Sequence, residues 1–375
     1  MSRSGSPVSV LFLTKYARNG ASSRYRTLQY IPYLENAGFT CEISPLFDQA
    51  YLEYKYRSGR TAIHDIVRAL VRRLMVLLSV KRYDILVIEK ELFPYCPAWI
   101  EALLDRIGCR YVVDYDDALF HQYDMHRKRA IRSLYRSKIS SVMRHASMVV
   151  AGNRYLAEYA LKAGARKIEL LPTVVDLSRY SPNSLVRSRE HVFTVGWIGS
   201  PSTSRYLAVI ASALREVCSG GVGRLLLIGS GPVNLPGVDV ECVPWSEASE
   251  VELICRCDVG VMPLLDSPWE RGKCGLKLIQ YMACGLPVVA SPVGVNRSLV
   301  DHGVDGFLAA DDVEWKNALR RLKGDENLRS SMGKAGHAKV AKNYSLQVAA
   351  PVLASLLVDV LERGTGEKTA RGSEK

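Results

Sequence analysis

Eight short apolar runs, at residues 8–13, 85–88, 111–113, 148–150, 193–198, 225–228, 259–262 and 287–290, recur along the chain with helix-length segments between them. Runs this short and uniformly apolar are strands covered on both faces, and a parallel sheet with helices on both sides covers them that way. The alternation is interrupted once. Residues 181–189, Ser-Pro-Asn-Ser-Leu-Val-Arg-Ser-Arg, are polar and turn-rich, and a second series begins just after them. A length of 375 residues is about twice that of a usual single domain. Together these features predict an α/β chain of two Rossmann-like domains facing across a cleft, spanning 1–185 and 186–345. Residues 346–375 read as a helix, to about Arg363, returning toward the first domain, then a polar tail from Gly364 without fixed structure. Open sheets of this kind bind ligands at the carboxyl ends of their strands.

Within that frame the first helix is predicted at 24–36, opened by Asn19-Gly20 and the cap signal Ser22-Ser23 and closed by Gly38. Helices in the second series are predicted at 203–217, 248–256 and 276–284. The net charge of +12 is unevenly placed: residues 1–190 hold 30 Lys and Arg against 18 Asp and Glu, and residues 191–375 hold 20 of each. The first domain is therefore suited to something anionic, whether a membrane surface, a phosphorylated substrate or nucleic acid. The nine cysteines are scattered without zinc-site spacing and read as reduced thiols. No run of about 18 apolar residues occurs, and residues 1–7 lack a signal-peptide core, so a cytoplasmic protein is expected.

The stretch from Asp258 to Asn296 carries most of the chemistry. It reads as strand, glycine-containing loop, helix, glycine cap and strand. Gly272 and Gly275 permit close approach of a ligand to the backbone, and a helix opening at Leu276 aims free N–H groups and a positive dipole end at the same spot. Lys273 and Lys277 add formal charge, with Lys277 in the first turn, where it reaches a diphosphate. Glycine-bounded strand–helix turns occur in any α/β protein, so the loop by itself does not identify a ligand.

The run Tyr-Met-Ala-Cys-Gly-Leu-Pro-Val-Val-Ala-Ser at 281–291 resembles the donor-site helix and strand of retaining glycosyltransferases of the GT-B fold, glycosyltransferase family four. The resemblance covers roughly 192–345, and the first domain more loosely through Tyr25-Arg26 and the Asp-rich segment 114–117. It implies transfer of a sugar from a nucleoside diphosphate sugar, a co-substrate rather than a cofactor, to an acceptor hydroxyl without a metal. Two departures stand out. Members usually carry two glutamates separated by seven residues, where this sequence has Gly272 and Gln280; Gln280 is then expected to hold a ribose hydroxyl, and Glu270 to turn toward the sugar. A subset of members carries a lysine three residues before the ribose position, as Lys277 is here. Where members usually place an Arg and a Lys against the diphosphate, Gly196-Trp-Ile-Gly-Ser-Pro-Ser-Thr203 stands instead. Gly199 and Ser200 still offer a close approach to the phosphates, or Ser200 or Ser202 simply caps a helix. Arg205, Lys273 or Lys277 must neutralise the leaving group.

In the first domain, Asp114-Tyr-Asp-Asp117 follows a strand. An Asp-x-Asp pair there can bind a divalent ion, but the donor machinery lies in the other half, and Asp116 or Asp117 is the candidate for orienting the acceptor hydroxyl or offsetting oxocarbenium charge. The alternative is a plain N-cap for the next helix. Lys15, Arg24 and Arg26 are candidates for holding an anionic acceptor, such as a lipid diphosphate. Apolar residues at 63, 66, 67, 70, 71, 74, 75 and 78, flanked by Arg68, Arg72 and Arg73, form an amphipathic basic helix, and a second basic segment runs from Arg127 to Arg144. Such a helix packs its stripe on the sheet or rests on anionic lipid. The reading is thus a cytoplasmic or membrane-peripheral glycosyltransferase with a glycan or lipid-linked acceptor. A sugar-nucleotide epimerase of the same fold and a basic nucleic-acid binder are the rivals; no aromatic-basic binding module supports the latter.

Overall fold

The computed structural model describes residues 7–58, 61–180 and 192–372. By contact the chain divides into Met1–Thr173 with Val348–Lys375, and Val174–Gln347. The division falls ahead of residues 181–189, which lie outside the described residues.

The first unit holds β1 (Val8–Leu13), β2 (Phe39–Ile43), β3 (Ile85–Glu89), β4 (Tyr111–Tyr115), β5 (Met148–Ala151) and β6 (Ile168–Leu170), in the order β2-β1-β3-β4-β5-β6. The second holds β7 (Phe193–Ile198), β8 (Gly223–Ile228), β9 (Val240–Val243), β10 (Val259–Met262), β11 (Val288–Ala290) and β12 (Gly306–Leu308), in the order β12-β11-β10-β7-β8-β9. Neighbouring strands are parallel throughout. Each sheet reverses its direction of growth once, between β1 and β3 and between β7 and β10, and such reversals open a crevice at the carboxyl ends of the strands. The eight predicted runs are the eight inner strands. The other four, β2, β6, β9 and β12, are sheet edges, and only part of their surface is buried.

Several helices differ from their sequence reading. The predicted 24–36 helix begins earlier, at Ala21–Arg26, and breaks before Ile31–Asn36, where Pro32 lacks an N–H to carry the ladder on. The predicted 203–217 helix is a 3-10 segment, Pro201–Ile210, followed by Ala211–Val217. Its opening residues bond locally, Thr203 Oγ1 donating to the Ser200 carbonyl at 3.0 Å and Ser204 Oγ to that of Pro201 at 2.9 Å, which tightens the turn. The last helix runs Leu346–Gly372, past the expected stop at Gly364.

The amphipathic segment is helical over Ile63–Leu77. Ile66, Ala69 and Leu70 pack with Leu46, Phe47, Tyr16 and Tyr51. Arg73, expected on the outer flank, is buried instead. It donates to the Thr14 carbonyl at 2.7 Å and the Ser44 carbonyl at 3.0 Å, tying together the loops that leave β1 and β2. In the second unit Trp197, Leu225, Leu227, Val261, Val289 and Trp315 belong to one buried cluster that fixes the sheet under the loops described next. Among the described residues no helix is long and apolar enough to cross a membrane.

Candidate functional site

In the second unit the ends of β7 and β10 flank the switch point. Beyond β10 come a short helix, Pro268–Arg271, a loop, and the helix Leu276–Ala283. Gly275 caps that helix with φ +69°, and a Cβ on it would lie 2.7 Å from Leu299 Cδ2, so both conformation and space call for glycine. The first intrahelical bonds run from Leu278 and Ile279 to the Gly275 carbonyl, leaving the N–H groups of Leu276 and Lys277 facing outward from the first turn.

Lys277 projects from that turn across the end of β7. Its ammonium lies 4.0 Å from the centroid of the Trp197 ring. A Cβ on Gly199 would come within 2.6 Å of both Lys277 Nζ and the Trp197 ring, so the bare backbone of Gly199 forms one wall of the lysine's seat. Burial, with the repulsion of Lys273 added, lowers the Lys277 pKa to about 7. No carboxylate among the described residues offsets this. A cation so placed lacks an anion, and a diphosphate supplies one.

The other expected donor residues are nearby but engaged. Both carboxylate oxygens of buried Glu270 are taken, one by Tyr206 Oη–H and the other by Ser267 Oγ–H, rather than turned outward toward a sugar. Gln280, one turn after Lys277 on the same helix face, is buried and donates through Nε2 to Tyr180 Oη at 3.2 Å; that hydroxyl in turn donates to Glu250 at 3.3 Å. Ser200 occupies the N-cap position without a side-chain capping bond, its Oγ lying 3.0 Å from Ser202 Oγ. Lys273 is half-buried, its N–H bonded to the Glu270 carbonyl, and Arg205 is exposed over the Tyr206 ring.

The first unit concentrates charge at its own switch point. Register sets Glu89, the last residue of β3, beside Asp114 of β4. Lys90 follows with φ +67°, and the Glu91 N–H closes a tight turn onto the Glu89 carbonyl at 2.8 Å. This backbone is strained for a residue with a Cβ, and it aims the lysine at the Asp cluster: Lys90 Nζ lies 2.8 Å from Asp116 and 3.6 Å from Asp117. Burial alone would raise the Asp116 pKa, but the Lys90 ammonium and the Ser22 hydroxyl, 2.6 Å away, hold it down at about 2. Ser22 and Ser23, read from sequence as helix caps, lie inside the first helix, and Ser23 donates to Glu89 at 2.6 Å. Burial raises the Glu89 pKa, and its second oxygen has no hydrogen-bond partner among the described residues.

The three expected acceptor cations divide. Lys15 is half-buried beside this cluster, its N–H donating to Glu89 at 2.9 Å. Arg24 is buried over the Tyr25 ring and donates to the Arg18 carbonyl. Arg26 is committed elsewhere, with two donors on Asp114 and a third on the Leu171 carbonyl, so it braces the end of β4 from within. Glu89 and Lys90 were absent from the sequence reading, although Glu-Lys-Glu directly after a wholly apolar strand is a visible signal.

Residues 190–325 match the family model described as Glycosyl transferases group 1. Among curated relatives, the chain is 36% identical over 233 residues to a D-inositol 3-phosphate glycosyltransferase of Corynebacterium jeikeium, covering 55% of each protein. It is 26% identical over 163 residues to an N-acetyl-alpha-D-glucosaminyl L-malate synthase of Bacillus anthracis, covering 40% of this chain and 42% of that one. The chain thus spans about half the length of these relatives. Among solved structures, a sucrose-phosphate synthase of Thermosynechococcus elongatus matches with TM-score 0.72 and 15% identity over 95% of this chain and 100% of that one. Anabaena HepE in complex with UDP-glucose matches with TM-score 0.69 and 17% identity over 94% and 99%. These likenesses establish the fold as GT-B.

Proposed function

We propose, for a chain whose residues 190–325 are a Glycosyl transferases group 1 segment set in a GT-B fold, that it is a retaining glycosyltransferase moving a sugar from a nucleoside diphosphate sugar to an acceptor hydroxyl. One observation carries the donor assignment: a lysine without a carboxylate partner among the described residues, Lys277, stands in the first turn of a helix whose outward N–H groups share its side, next to the bare backbone of Gly199. Charge that develops on a departing diphosphate is met there by fixed dipoles and one cation, which is electrostatic stabilisation arranged in advance of the reaction. Gly199, Ser200, Lys273, Gly275 and Leu276 complete the phosphate-facing surface. Gln280, held by Tyr180, faces the ribose. Glu270 acts through its bonds to Tyr206 and Ser267 by fixing the approach to that surface. The retaining course is the one implied by the resemblance at 281–291, and the uridine nucleotide of HepE makes UDP-sugars the first donors to try.

In the first unit Asp117, with 32% of its side chain exposed, is assigned to the acceptor hydroxyl, and Asp116 with Lys90 holds it in place. We take the acceptor to be a lipid-linked glycan precursor met at the cytoplasmic face of the membrane. A small anionic acceptor is the second reading, favoured by the relatives named for inositol 3-phosphate and malate.

The test is thermal unfolding with UDP-, GDP- and ADP-sugars in turn. A true donor at about 100 times its Kd adds roughly 2.7 kcal/mol of stability. No shift with any of them removes the donor assignment, and donor turnover without an acceptor, yielding an isomeric sugar nucleotide, replaces the transferase by an epimerase.

A further inference from the structure

The helix Ile63–Leu77 has a second apolar face that none of the described residues covers. Ile66, Ala69, Leu70 and Arg73 point inward, yet Ile63, Val67, Val71, Leu74, Met75 and Leu78 are between 51% and 78% exposed. At 100° per residue Ile63, Val67, Val71, Leu74 and Leu78 fall in one stripe along the outer side, with Met75 and then Arg68 at its border. Lys81 and Arg82, exposed in the turn that follows, extend the cationic edge.

We propose that this outer face is a docking surface for an anionic lipid bilayer. A contiguous apolar stripe on a soluble unit marks a surface that meets something apolar. Its cationic border and the positive excess of the first half specify that the partner also carries negative charge, as an anionic bilayer does. A second stripe supports the same partner. On the helix Trp99–Arg106, Trp99 is 76% exposed, and Leu103 and Ile107 follow it at four-residue intervals, with exposed Arg106 among them. The connections β2 to β3 and β3 to β4 advance in the same direction along the sheet, so right-handed crossovers place both helices on the same side of it. An exposed tryptophan beside aliphatic side chains suits the headgroup boundary. A second copy of the chain is a poorer occupant. The helix's one carboxylate, Asp65, lies 3.0 Å from His64, and the stripe presents no other acid to a copy's Arg68.

This inference deepens the lipid-linked acceptor reading, but its test uses neither donor nor acceptor. The full chain is sedimented at low salt with vesicles of phosphatidylcholine alone, or of phosphatidylcholine and phosphatidylglycerol in equal parts. Binding is expected on the mixed vesicles only, falling at least about tenfold in the double variant Val67→Glu, Leu74→Glu. Each of Arg68→Gln, Lys81→Gln and Arg82→Gln should weaken it roughly fivefold, as about 1 kcal/mol per surface cation implies. Val313→Glu, at an exposed position of the other unit, should change nothing. All these positions are exposed, so the variants should keep the wild-type melting temperature and any donor-induced shift. Equal binding to both vesicles, or none, overturns the proposal. So does a lipid-free dimer in sedimentation velocity that the double glutamate variant abolishes, because that makes a second copy the occupant.

Discussion

The ammonium of Lys277 rests 4.0 Å from the centre of the Trp197 ring, where a ring face replaces the anion that a lysine would otherwise find. This seat keeps the charge in place and leaves it unneutralised. With its pKa lowered to about 7, roughly half of the empty molecules carry a neutral amine at pH 7. A bound diphosphate raises that value, so donor binding near pH 7.5 should take up protons. Calorimetric titration with UDP in two buffers of different ionisation enthalpy checks this, and donor affinity should fall as pH rises above about 7. Identical apparent enthalpies in both buffers would show that Lys277 does not titrate with the donor.

The same lysine opposes folding. Between about 7 and 10.5 the unfolded chain holds a proton that the folded chain lacks, so the cost is greatest at and below pH 7 and fades toward pH 10.5. Lys277→Met should therefore raise the melting temperature of the empty protein at pH 7, by roughly 2–4 °C for each 1 kcal/mol recovered. It should also abolish the donor-induced shift and lower kcat/KM at least about 10²-fold. A variant both less stable and fully active would refute the assignment.

Gly199→Ala tests the wall of that seat. The added methyl would meet Lys277 Nζ and the Trp197 ring at 2.6 Å; the amine can swing aside but the buried ring cannot. UDP affinity, read by calorimetry, should fall about tenfold or more with a modest loss of stability. Unchanged affinity would place the phosphates elsewhere.

In the first unit, Asp116→Asn removes one partner of a buried ion pair, a change that costs on the order of 3 kcal/mol and is lessened here by Asp117 at 3.6 Å from the same ammonium. Held at about 2 when folded against 3.8 ordinarily, Asp116 contributes stability fully above pH 3.8 and loses it as pH falls through about 2. Urea melts from pH 5 to pH 2 should show a shallower acid slope in the variant. Its kcat should fall while the UDP Kd stays constant, since the proposed donor residues lie in the other unit; a changed Kd with normal kcat would reverse the roles.

What could be read from sequence follows from where each signal is made. The eight inner strands show as apolar runs because helices cover both their faces. The edges β2, β6, β9 and β12 do not, since Glu42, Glu169 and Glu241 interrupt three of them and β12, Gly306–Leu308, opens on a glycine and holds only two apolar side chains. Gly275 and Lys277 were legible because the glycine cap and the first turn are local. Ser22, Ser23 and Arg26 misled for the opposite reason. Cap residues and helix-start arginines look alike whether they serve their own helix or a distant strand, and here they serve Asp116, Glu89 and Asp114. The outer stripe at Ile63 and Leu74 was visible as periodicity, but only tertiary packing decides which apolar face turns inward.

Chelation is the last test, and it turns on what already holds the Asp-x-Asp pair. Asp114 receives two bonds from Arg26, and Asp116 is matched by Lys90 and Ser22. A divalent ion bridging the two carboxylates would have to displace two buried cations, each fixed by further contacts: Arg26 through the Leu171 carbonyl and Lys90 through its strained turn. Each displaced cation would then lose its nearest carboxylate while still buried, a cost of several kcal/mol set against the gain of metal coordination. On the proposed reading the leaving-group charge falls instead to Lys277 and the helix start behind it. Transfer should therefore proceed at an unchanged rate in excess EDTA, and Lys277→Ala should not be rescued by Mn²⁺ or Mg²⁺. Activity lost on chelation and restored by either ion would assign the diphosphate to a metal and take it away from the lysine.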